Sequence, residues 1–207
     1  MFDNLRICFL GDSFVQGIGD PEYRGWVGRV LTATGPGITA FNLGLRRDTS
    51  ADVLDRCRRE VAPRLLPHTD NRLVVSFGSN DMVLEDGRVR VERAQCLDNL
   101  AALLADSRDR AIKPLVVGPP PVIDGGSAHL LRVTELADDM AALCRSASVP
   151  FVATTRALAE DPVWIREALA DDGAHPGADG YQRLADLVLD GGWRSWIAEP
   201  TGCGQES

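Results

Sequence analysis

Four short segments carry side chains that chemistry could use: Gly11-Asp12-Ser13-Phe14, Asn42-Leu43-Gly44, Gly78-Ser79-Asn80-Asp81 and Asp172-Gly173-Ala174-His175-Pro176. A serine hydroxyl is a weak nucleophile until a positioned base takes its proton, and histidine has the pKa for that near neutrality. There are three histidines to choose from. His68 precedes the third predicted strand, on the amino-terminal side of the sheet, and His129 reads as a surface or cap residue at a helix start. His175 follows Asp172 by three residues in a glycine-containing turn. That spacing lets the carboxylate accept from the imidazole Nδ1–H, fixing the tautomer with Nε2 toward Ser13. A tetrahedral intermediate also needs donors aimed at its oxygen, which the backbone N–H groups of Ser13 and Gly44 and the side-chain amide of Asn80 could supply. Each segment alone has a plainer use, Ser13 as a helix cap and Asn80 as a turn residue bonding its own backbone. Together they contain what acyl transfer requires.

Such a set works only where the fold gathers it. Ile7-Cys8-Phe9-Leu10 is an apolar run stopped by Gly11, the pattern of a buried strand. Ser13 then falls just past the strand's carboxyl end, where open α/β sheets bind ligands. Residues 38–43, 73–77, 115–117 and 150–152 read as further strands. Helices are expected over 26–34, 51–66, 91–107, 128–145, 163–170 and 178–189. In the 91–107 helix, Val91, Ala94, Leu97, Leu100, Ala101 and Leu104 form the apolar face. Alternation of strand and helix predicts an α/β fold with a mostly parallel sheet covered on both faces. If the order is 2-1-3-4-5, Ser13, Gly44 and Asn80 emerge side by side from neighbouring strand ends.

Between these elements, Gly17-x-Gly19 lacks the remaining residues of a phosphate loop and reads as a turn. Segment 83–90 is turn-like, and Trp26 is a packing residue. Arg46 and Arg47 read as solvated loop residues paired with Asp48 and Asp52, in preference to holders of an anionic substrate group. An acyl pocket is expected from residues after the first strand, from Met82, Val83 and Leu84 after Asn80, and from residues 119–123 after the fourth strand.

The 207 residues are 44% hydrophobic and 25% charged, which fits one domain over 1–198 with a disordered tail over 199–207. A net charge of −8 argues against nucleic acid or an anionic membrane as general partner. No leader pattern and no run of about 18 apolar residues is present, so the expectation is a cytoplasmic protein without a membrane span. Five scattered cysteines without a C-x-x-C pair read as reduced, buried small residues.

Gly11-Asp12-Ser13, Gly44, Gly78-x-Asn80-Asp81 and Asp172-x-x-His175-Pro176, in that order, resemble the SGNH hydrolase superfamily, also called GDSL-type lipases and esterases. The resemblance spans residues 11–176, with Phe14 in place of the leucine that names the group, at a position expected to pack inward. It implies a three-layer α/β/α sandwich on a five-stranded parallel sheet of flavodoxin-like order. It also implies a Ser13, His175 and Asp172 triad, an oxyanion hole of Ser13, Gly44 and Asn80, and a small-molecule carboxylic ester or thioester as substrate, with no cofactor and no metal. Asp12 and Asp81 read as structural carboxylates holding the loops. The same triad would serve acyl transfer to an alcohol or amine. From other classes come a metal-dependent phosphoesterase using Asp12, Asn80, Asp81, Asp172 and His175, and a non-catalytic binding module. The single well-placed histidine speaks against the metal.

Overall fold

Strand β1 (Leu5–Gly11) lies inside the sheet, paired on both edges, and its side chains satisfy two cores at once. Successive residues of a strand point to opposite faces. Ile7 and Phe9 enter one core and Cys8 and Leu10 the other. The computed structural model describes residues 4–199, so all of the expected tail except Glu199 lies outside the described residues.

After β1 come α1 (Ser13–Gln16), α2 (Gly25–Thr34), β2 (Ile38–Gly44), α3 (Ser50–Val61) and β3 (Asp70–Ser76). A two-stranded hairpin, β4 (Leu84–Glu85) and β5 (Arg88–Val89), follows where a turn-like segment was expected. The chain continues through α4 (Arg93–Asp109), β6 (Lys113–Val117), α5 (Gly126–Ser146), β7 (Phe151–Val152), α6 (Thr155–Glu160), α7 (Pro162–Ala170) and α8 (Ala178–Val188). A π-helical turn, Leu189–Trp193, leads into α9 (Arg194–Ala198). The five main strands form one parallel sheet in the order β2-β1-β3-β6-β7, the expected 2-1-3-4-5 in sequence order, within a three-layer α/β/α fold.

One layer is aromatic. Trp26, Trp164, Trp193 and Trp196 are all buried in the core that holds Phe9, with Phe9 edge-on to Trp26 at 5.8 Å between ring centroids and stacked on Trp193 at 5.9 Å. The opposite layer is aliphatic and sulfur-rich, with Leu100, Leu103, Leu136 and Met140 around four buried, unpaired cysteines, Cys8, Cys57, Cys96 and Cys144. Cys203 lies outside the described residues.

Several boundaries move for tertiary reasons. β3 starts at Asp70, three residues before the expected start, because Arg72 is buried there. Its guanidinium bonds Asp70, donates to the Trp196 carbonyl and lies 4.9 Å from the Trp196 ring. Helix α3 stops at Val61, and Pro63 falls in a 3-10 turn, Ala62–Arg64. Helix α4 is rotated from the expected face. Cys96, Leu100, Leu103 and Leu104 are buried while Ala94 and Ala101 are exposed, as burial of the larger side chains removes more apolar area from water.

For the site, the register matters most. Gly11 lies opposite Gly44 on one side and Ser76 on the other, so three strands end in one row.

Candidate active site

Asp12 leaves β1 and caps α1, its Oδ1 accepting the Phe14 N–H at 2.9 Å. This sets Ser13 at the first helical position, just past the strand end. Its Oγ lies 2.7 Å from His175 Nε2, and His175 Nδ1 lies 2.7 Å from Asp172 Oδ2. Asp172 Oδ1 accepts the N–H groups of Ala174 at 3.0 Å and His175 at 2.9 Å, so one carboxylate shapes the turn and orients the ring. Partial burial alone would raise the Asp172 pKa. The hydrogen bonds from the His175 backbone, the His175 ring and Ala174 outweigh it and hold the carboxyl down to about 2. Phe14 is buried with its ring 5.0 Å from the His175 ring and stacked on Trp164 at 5.9 Å, the inward packing expected of that position. Gly19 (φ +87) closes the other side, where a Cβ would stand 2.8 Å from the Pro176 carbonyl oxygen. Gly19 is thus a buttress for the His175 turn, while Gly17 packs against Gly25.

Asn80 reaches the same cleft from the end of β3. Its Nδ2 donates one N–H to the Asp48 carbonyl at 2.9 Å. The turn that carries it is fixed from three directions. Asp81 accepts the Ser50 N–H at 3.1 Å, Ser79 Oγ donates to the Pro120 carbonyl at 2.5 Å, and His129 Nε2 donates to the Ser79 carbonyl at 3.1 Å. His129 is therefore no surface or cap residue. It is buried where the chain at Gly125 passes so close that a Cβ would stand 2.8 Å from the ring. Burial lowers its pKa and keeps it neutral, with Nε2–H as donor. Sequence reasoning missed this positioning residue because no local spacing ties residue 129 to residue 79.

Gly44 is placed differently from Ser13 and Asn80. Its N–H donates to Asn42 Oδ1 at 2.9 Å, and Asn42 Nδ2 donates to the Val15 carbonyl at 2.7 Å. A Cβ at residue 44 would stand 2.1 Å from the Gln16 nitrogen, so glycine here is what lets α1 cross β2.

The cleft, about 430 Å³, is lined by Ser13, Asn80, Asp172, Ala174 and His175 together with Arg46, Arg47, Val83, Glu85 and Arg90. A larger cleft, about 660 Å³, lies beside Phe151 and Leu158 and contains none of these groups. The arginines correct the expected pairing. Arg46 donates to Asp172 Oδ2 at 3.2 Å and Arg47 lies 3.7 Å from Glu85. Asp48 turns inward to Arg56 at 2.6 Å, and Asp52 is taken by the α3 capping box with Thr49. Of the acyl-pocket residues expected after Asn80 and after the fourth strand, Val83 alone lines the cleft; Met82 belongs to the core and Leu84 is exposed. Among the described residues, no three His, Cys, Asp or Glu side chains are grouped to hold a metal ion, and no helix is long and apolar enough to cross a membrane.

Residues 9–183 match the GDSL-like Lipase/Acylhydrolase family. Among solved structures, the lipase/acylhydrolase from Enterococcus faecalis is 25% identical, with a TM-score of 0.72 over 90% of this chain and 94% of that one. The uncharacterized lipoprotein YqeF of Bacillus subtilis (strain 168) is 30% identical over 112 residues, 54% of this chain and 44% of that protein. The isoamyl acetate-hydrolyzing esterase of Saccharomyces cerevisiae is 24% identical over 146 residues, 63% of this chain and 60% of that enzyme. The chain thus spans about half the length of the curated relatives it matches.

Proposed function

The chain belongs to the GDSL-like lipase/acylhydrolase family, and on that premise we propose that it hydrolyses a carboxylic ester or thioester through an acyl-enzyme on Ser13. One observation carries the reading: the unbroken line from Ser13 Oγ through the His175 ring to Asp172, with 2.7 Å at each contact. His175 Nε2 takes the Ser13 proton as Oγ attacks the acyl carbonyl. Asp172, held ionised, accepts from Nδ1 and stabilises the imidazolium. As the intermediate collapses, Nε2–H protonates the leaving group and the acyl-enzyme remains. Water, deprotonated by the same nitrogen, then releases the acid.

For the oxyanion, the proposed donors are the Ser13 N–H, which at the first helical position has no intrahelical acceptor, and the Asn80 Nδ2–H not given to Asp48. Gly44 supports the site through packing, since its N–H is already donated to Asn42.

The test is labelling with a small fluorophosphonate, followed by peptide mapping. Stoichiometric label on Ser13, lost in Ser13→Ala, is the expected result. Unlabelled, folded wild-type protein that hydrolyses no ester would overturn the assignment.

A further inference from the structure

The cleft departs from the rest of the molecule in charge. The chain carries a net charge of −8, yet three guanidinium groups, those of Arg46, Arg47 and Arg90, stand around Ser13, and only Val83 and Ala174 among the lining residues are apolar. Elsewhere, arginines with buried side chains are tightly matched, Arg56 to Asp48 and Arg72 to Asp70 at 2.6 Å each. In the cleft the match is loose. Glu85 Oε1 lies 3.5 Å from Arg90 Nε and 3.7 Å from Arg47 Nη2, beyond hydrogen-bond length, and Glu85 is more than half exposed on the β4–β5 hairpin. Arg90 is mostly buried and donates through Nη1 to the Arg47 carbonyl at 3.0 Å, which fixes the Arg47 backbone. That backbone is left-handed, φ +73, a conformation glycine adopts without strain and arginine does not. The strain is retained at a residue whose side chain faces the nucleophile's cleft.

We propose that the cleft selects esters or thioesters bearing an anionic group, a carboxylate or phosphate, held between Arg47 and Arg90 where Glu85 now stands. The proposal rests on the assignment of Ser13 as nucleophile. Glu85 marks the anion position, and its weak contacts make it displaceable.

The experiment compares kcat/KM within matched pairs: 4-acetoxybenzoate against methyl 4-acetoxybenzoate, with the charge in the alcohol part, and methyl hydrogen glutarate against methyl pentanoate, with the charge in the acyl part. A third substrate, 4-acetoxyphenyl phosphate, ranks phosphate against carboxylate. In at least one pair the wild type favours the anion. The anionic-to-neutral ratio falls about tenfold in Arg47→Gly, the scale of one charge-assisted hydrogen bond. It rises in Glu85→Gln, and it shrinks in 1 M salt, where screening acts over about 3 Å. Arg47→Gly also unfolds no earlier than wild type, because glycine suits the left-handed backbone. Ratios unchanged by both substitutions in both pairs would overturn the proposal while leaving Ser13 as nucleophile. Hydrolysis no faster than that of Ser13→Ala on every substrate would overturn the reading beneath it as well.

Discussion

Two aspartates bracket the serine system, and they live in opposite electrostatic conditions. Asp172 is partly exposed, yet it is held ionised by the His175 ring and two backbone N–H groups, with its pKa near 2. Asp12, one residue before Ser13, is fully buried; burial first, then the charges of Asp81 and Asp48, push its pKa to about 7 against the Phe14 N–H. One oxygen of Asp12 has no hydrogen-bond partner among the described residues. Proximity to Ser13 therefore does not by itself hold a carboxylate ionised. The number and direction of donors aimed at it do, and Asp172 collects them because a turn of four residues folds back onto its own side chain.

The comparison can be broken most decisively at Asp172. Asp172→Asn removes the acceptor that fixes the His175 tautomer, and a loss on the order of 10⁴ in kcat is expected with the fold retained, by analogy with serine proteases. Asp12→Asn preserves an acceptor for Phe14 and should cost far less; an equal loss in both variants would erase the distinction. Next in size is the effect on stability. The folded-state pKa of Asp12 lies above its value of about 3.8 in the unfolded chain, so the folded protein binds the extra proton between those values. This group therefore costs stability progressively as pH rises from about 4 to about 7. The unfolding midpoint of Asp12→Asn minus that of wild type should be small at pH 4.5, larger at pH 8 and flat above. A difference that shrinks with pH would mean Asp12 is charged and paired.

Asp172 has the opposite sign. Its depressed pKa contributes stability above about 4 that is lost as pH falls toward 2, so acid unfolding of Asp172→Asn should depend less on pH over that window. The smallest effect belongs to Arg46, whose contact with Asp172 Oδ2 is half exposed. Exposed pairs contribute about 0–1 kcal/mol, so Arg46→Ala should change kcat on a neutral ester by no more than about fivefold.

Much of this was legible because the turns of the candidate site are short local motifs whose combination is specific even though each alone has a plainer use. Gly-Asp-Ser after an apolar run, and Asp172 three residues before His175, specify local geometry that the structure contains. Gly44 has a packing role that no sequence pattern shows. Its lack of a side chain suits a close approach, but the approaching group is the backbone of Gln16. His129 was misplaced, and β3 was expected to begin only after Arg72, for the converse reason, since a polar residue gives no local sign that a distant carbonyl will satisfy it inside the core. The Trp-containing end, Trp193 and Trp196, has no placement from the sequence alone. There the chain makes a π-helical turn with Gly192 at φ +135 and carries both rings into the aromatic layer.

Ser13 and His175 are 162 residues apart in the chain and 2.7 Å apart in space. Closing so long a loop yields little reward until both core layers are in place, so this contact belongs to the late events of folding. Recovery of esterase activity during refolding should accordingly trail the burial of tryptophan. The hydroxyl–imidazole pair is then a clock for the whole domain, struck only when its first and last thirds have met.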